Sequence, residues 1–179
     1  MKKLKVLLSA LAMVAAMAFV SCGGAADGTS EPAASGETVA FTMTYNASAQ
    51  WAAPAFTVED DWKSLEVVFA DGTDFEKIQF AVISDKVEKE ESWGTSYFSL
   101  YPAATKTSTI DINNWLEVET NNESGKTLKD NGATKITKIS IQNKTKDALT
   151  VKVVSAKVTK ADGTVIDVKP VGDWASSVN

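Results

Sequence analysis

Polar and apolar positions alternate through most of the chain beyond residue 38. In Val39–Tyr45, Phe41, Met43 and Tyr45 share one parity and Thr42 and Thr44 the other. Leu65, Val67 and Phe69 repeat the pattern, and that run ends at Asp71-Gly72, a turn pair. Ile78, Phe80 and Val82 alternate with Gln79 and Ala81. Thr109–Ile112 and Thr137–Gln142 are shorter alternating runs, and Leu149–Thr159 is long and rich in valine. Ala161-Asp162-Gly163 then turns the chain towards Val165–Val168. A period of two sends successive side chains to opposite faces of a strand. Short β-branched runs separated by Gly, Asn and Asp predict an all-β, antiparallel β-sandwich of seven or eight strands, a number that suits a jelly roll. One helical turn is expected near Asp60–Ser64, where acids precede Trp62-Lys63.

The first residues follow another pattern. Lys2, Lys3 and Lys5 precede an apolar run from Val6 to Val20, broken only by Ser9, and Ser21-Cys22 follows. A charged start, a short apolar stretch and small residues at its end describe a secretory signal. The run is shorter than the roughly 20 residues that span a bilayer, so cleavage is expected. Cys22 is the single cysteine and stands where a lipoprotein signal peptidase cuts. Val20 and Ser21 match the lipobox, while Phe19 occupies a position usually held by leucine. Residues 1–21 therefore read as a lipoprotein signal peptide and Cys22 as the lipidated residue. Gly, Ala, Ser, Thr, Pro and acids fill 23–37 with nothing large to bury, so 22–37 reads as the lipidated cysteine and a disordered tether. One sandwich domain is expected over 38–170. Residues 171–179 form a C-terminal tail in which Trp174 is the side chain that could pack.

Composition narrows the chemistry. Loss of the signal removes three lysines and takes the formal charge from −5 to −8. A chain this acidic lacks the basic footprint of a nucleic-acid partner and gains nothing from anionic lipid, so the membrane is met through the acyl anchor alone. The chain has no histidine and no arginine. With Cys22 committed to lipid, no Cys/His metal cluster, catalytic Cys/His pair or Ser/His/Asp triad can be built. Carboxylates remain, but nothing marks a pair placed across a cleft as a glycosidase requires, and an enzyme is not expected. No cofactor is expected. Asp71-Gly72-Thr73-Asp74 reads as a turn, with a structural calcium loop as the alternative.

The segment Trp93–Tyr101 is the most suggestive. Read as a strand, it puts Phe98 and Leu100 on one face and Trp93, Thr95, Tyr97, Ser99 and Tyr101 on the other. Aromatic rings interleaved with hydroxyls suit a sugar, whose C–H face stacks on a ring while its rim takes hydrogen bonds. Trp93, Tyr97 and Tyr101 are the candidate platform, and a second apolar layer under a loop is the alternative. Gln79 is a candidate donor on the polar face of its strand. Trp115, after Asn113-Asn114, and Trp51, after Gln50, are candidate rim residues in loops. Trp62, leading into the Leu65 strand, reads as structural.

Trp62–Phe69, the aromatic segment Trp93–Tyr101, Ile139–Asn143 and the closing run Val151–Gly163 occur in that order. In this order the chain resembles non-catalytic carbohydrate-binding modules of the galactose-binding-like jelly-roll type. The signal and the Ala/Ser tether resemble those of spirochaete or Bacteroidetes lipoproteins. The resemblance implies a polysaccharide or oligosaccharide ligand and a place in the cell envelope, at the outer membrane or cell surface. The alternative is a structural or host-interaction lipoprotein whose sandwich binds a protein partner.

Overall fold

The alternating residues become the inner faces of two sheets. A computed structural model describes residues 36–87, 97–100, 102–117, 127–130 and 132–179, with the backbone alone at 86–87 and 97–100. The elements in chain order are β1 (Phe41–Tyr45), β2 (Ala55–Thr57), β3 (Trp62–Phe69), β4 (Ile78–Val87), β5 (Tyr97–Leu100), β6 (Thr107–Asp111), α1 (Ile112–Leu116), β7 (Ile136–Asn143), β8 (Leu149–Lys160), β9 (Val165–Asp167) and β10 (Ser176–Val178). One sheet has the order β10-β1-β8-β3-β6, with β9 also on β8; the other runs β2-β7-β4-β5. Every pairing between these strands is antiparallel. Phe41, Met43 and Tyr45, Leu65, Val67 and Phe69, and Ile78, Phe80 and Val82 are all buried in one core fed by both sheets.

The order has a simple origin. β1 pairs β8, β2 pairs β7, β3 pairs β6 and β4 pairs β5. The chain is thus one long hairpin folded at β4–β5. The further pairings β3·β8 and β4·β7 wrap that ribbon into two layers.

Two bulges keep apolar residues inside. Val68 faces Ser155 while Phe69 faces Val153, so one residue of β8 is left over. The buried residues of β8 switch parity there, from Val151 and Val153 to Ala156 and Val158. A second shift lies between Trp62 and Ser64. It brings Trp62 onto the buried face of Leu65, which simple alternation would deny it. Trp62 therefore begins a strand; the helical turn expected at Asp60–Ser64 is a tight turn at Asp60-Asp61 followed directly by β3. The helix among the described residues is α1, capped by Asp111, whose side chain accepts from the Asn114 N–H at 3.2 Å.

Ten strands among the described residues exceed the seven or eight expected. β2 and β10, three residues each, are the additions. Such short strands carry one or two inward residues and show no alternation to read.

The chain also continues in the fold beyond residue 170. Val171 exchanges both backbone hydrogen bonds with Ala55, at 2.9 and 2.8 Å, on the outer edge of β2. Ser176–Val178 then pairs with the outer edge of β1. The C-terminal segment is a strap from one sheet to the other. A Cβ on Gly172 would lie 2.5 Å from the Ser176 carbonyl oxygen, so the crossing needs glycine. The strap turns on Asp173. Its carboxylate accepts from the N–H groups of Ala53 (2.6 Å) and Ala175 (2.9 Å) and from the Ser176 hydroxyl (2.8 Å). Burial opposes its charge, but these donors outweigh burial and hold the carboxyl below the usual carboxylate range. Beneath the strap, the Tyr45 hydroxyl crosses the core from β1 to donate to the Ile141 carbonyl of β7 at 2.8 Å. Burial first, and the nearby Asp173 charge second, push its pKa far up, so it stays a donor.

Candidate functional site

Antiparallel strands send successive connections to alternate ends of the sandwich. The β2–β3 turn, α1 and the start of β7 meet at one end and enclose a groove of about 190 Å³. Val58, Trp62, Ile112, Leu116 and Ile136 supply its apolar lining, and Glu59, Asp60, Asn113, Thr134 and Lys135 its polar one. Trp62 reaches this place through the bulge in β3. It is 8% exposed, and its indole N–H has no hydrogen-bond partner among the described residues.

The polar lining is held by ion pairs and caps. Lys135 Nζ lies 2.9 Å from Asp60 Oδ1, joining two groove residues, and this bond raises the lysine pKa. Lys160 pairs with Asp61 at 2.9 Å and with Glu59 at 3.5 Å, tying the acidic turn to the end of β8. Asp85, on β4, accepts from the Thr134 hydroxyl and from the N–H groups of Thr134 (2.9 Å) and Lys135 (3.2 Å). The Thr134 hydroxyl bond is the leading cause that holds the Asp85 carboxyl low. An aromatic and aliphatic lining beside a few hydrogen-bonding groups is the general make-up of a small-molecule site.

The opposite end carries two exposed tryptophans. Trp51, in the β1–β2 connection, is 50% exposed, and Trp174, in the strap, is 86% exposed. Trp174, the tail side chain that could have packed, stands in water. Asp173 and buried Ala175 hold the chain on either side of it, leaving the indole outside.

The expected site residues fare differently. Trp93 and Tyr101 lie outside the described residues, as do Cys22 and the signal segment. Tyr97 begins β5, its backbone opposite Val87 at the far edge of its sheet. Gln79 is half-buried on β4, where its side-chain amide donates to Gln142 Oε1 of β7 at 3.0 Å; that amide serves a cross-strand ladder. Trp115 stands on α1 and not in a loop, half-buried against the core, while its helix neighbours Asn113 and Leu116 line the groove. The structure thus brings Trp62, read as structural, into the groove and leaves Gln79 and Trp115 out of its lining. The signal for Trp62 would have been the parity break at Lys63. Asp71 pairs with Lys106 at 2.5 Å, and Asp74 accepts from the Glu76 N–H at 3.1 Å and pairs with Lys77 at 3.3 Å, so both serve as turn residues. Among the described residues no three Asp, Glu, Cys or His side chains are grouped to hold a metal ion, and no helix is long and apolar enough to cross a membrane.

No family model matches the chain, and no curated protein or solved structure matches it either.

Proposed function

We propose that this chain is a lipid-anchored, non-catalytic carbohydrate-binding module of the cell envelope. The groove beside Trp62 carries the reading. It joins an indole and aliphatic side chains to fixed polar groups, in a space that suits a single sugar ring and not an extended peptide. The sandwich itself is proposed to be a jelly roll. The support is the nested pairing, with β1-β8-β3-β6 in one layer and β2-β7-β4-β5 in the other, as expected of two interlocked Greek keys. Cys22, at the end of the apolar run, supports acyl anchoring at the outer membrane or cell surface, with 23–37 as the tether.

The test is affinity electrophoresis of the detergent-solubilised full chain against soluble β-glucan, xylan, mannan and galactan. The wild type is expected to be retarded by at least one of them. Asn113→Ala, at an exposed groove position, is expected to keep the thermal midpoint and to be retarded clearly less than the wild type. A wild type retarded by none of the four refutes the reading and favours a protein-binding lipoprotein.

A further inference from the structure

We infer that Trp51 and Trp174 form a second carbohydrate-binding surface, at the end of the sandwich opposite the groove, for a neutral glycan chain. The inference rests on the carbohydrate reading above but on different residues.

Exposure alone would say little, since single apolar residues are common on protein surfaces. What distinguishes these two is that rigid backbone presents them. Trp51 takes a left-handed φ of 71°, a conformation that costs a non-glycine residue free energy and persists only where the surroundings impose it. The surroundings do so here. The Trp51 N–H donates to the Asn143 carbonyl at 2.7 Å, and the Asn143 N–H donates back to Ala52 at 3.3 Å. One residue earlier, the Gln50 side chain donates to the Lys144 carbonyl at 2.9 Å, and Ala49 and Ala52 are buried on either side. The chain is fixed and the indole is left in water.

Trp174 is held by the Asp173 hub described above. That hub also joins the two residues. Trp51 lies two positions from Ala53, whose N–H donates to Asp173 at 2.6 Å, and Trp174 adjoins Asp173. Their Cα atoms are therefore within about 16 Å of each other even at full extension, the span of a short oligosaccharide. Two flat rings on fixed frames can stack on sugar C–H faces with little ordering cost.

Charge and area select the ligand class. The mature chain is acidic, at −8 once the three signal lysines are removed, which disfavours an anionic membrane. Lys144 and Lys146, exposed in the neighbouring β7–β8 connection, offer donors for hydroxyl groups. The large apolar residues exposed at this end are the two indoles and Val171, well short of the broad hydrophobic face of an obligate protein interface. A neutral, hydroxyl-rich chain needs neither charge nor a broad apolar face.

The test uses the full chain in detergent and whichever of soluble β-glucan, xylan, mannan and galactan retards the wild type. Trp51→Ala/Trp174→Ala is expected to keep the wild-type thermal midpoint and to bind that polysaccharide about tenfold or more weakly, the loss of two stacking contacts. In the unaltered protein, the same polysaccharide is expected to protect the exposed indoles from acrylamide quenching, a measurement that does not depend on a variant folding. Unchanged affinity of the double variant, together with weakened binding by Asn113→Ala, overturns the second surface and leaves the groove reading standing. Retardation of the wild type by none of the four polysaccharides overturns both.

Discussion

Asp173→Asn is nearly isosteric and reverses one hydrogen bond at the centre of the strap. An asparagine can keep its oxygen towards Ala175 N–H and the Ser176 hydroxyl, which both reach Oδ1. Its amide nitrogen then faces the Ala53 N–H, which donates to Oδ2 at 2.6 Å, and two donors confront one another. Leaving such a donor unsatisfied costs about 1–3 kcal/mol, and a charged acceptor lies towards the upper end. Asp173 is only half-buried, so solvent screening lowers the figure. The expected loss is about 2 kcal/mol, or roughly 6 °C in thermal midpoint for a domain of this size. The pH dependence has a definite sign. The folded carboxyl sits below its ordinary value, so its contribution is complete above the unfolded pKa and is lost as pH falls through the folded one. A protonated Asp173 turns a hydroxyl towards one of the donors, as Asn does. Wild type and variant should therefore differ fully at pH 7 and converge from about pH 5 downward. Circular-dichroism melts of both proteins at pH 7 and pH 3 measure this, and hydrogen exchange at Ala53 and across β10 should quicken in the variant at pH 7. Equal midpoints at pH 7, or a gap that stays the same at pH 3, would refute the role assigned to the carboxylate.

Tyr45→Phe removes the donor that joins the two sheets through the Ile141 carbonyl, and urea denaturation should show a loss of about 1–2 kcal/mol; an unchanged midpoint would mean the cross-core bond contributes nothing. Cys22→Ala should release the protein from washed membranes and leave the mature N-terminus without acyl mass; unchanged detergent partitioning would remove the lipid anchor from the proposal.

Much of the sandwich is written in local pattern. Alternation at Phe41–Tyr45, Leu65–Phe69 and Ile78–Val82 predicts both the strands and their buried faces, because a strand has one inward side for every second residue and these residues are apolar there. The turns at Asp71-Gly72 and Ala161–Gly163 are legible for the same local reason, and Gly163 takes the left-handed φ of 87° that such a turn favours. The strap beyond residue 170, the exposure of Trp174 and the strand that begins at Trp62 are set where burial is decided by distant chain. Trp62 is buried because a bulge opposite Lys160 rotates it inward, which period-two counting cannot register. Trp174 is exposed because its neighbours Asp173 and Ala175 are pinned to the strap's surroundings, among them Ala53, 120 positions away. The sequence by itself determined the strand class and the inward faces of the regularly alternating strands, since those follow from the alternation of neighbours. Only the tertiary structure decided which tryptophans face water, because that depends on register shifts and hydrogen bonds between segments far apart in the chain.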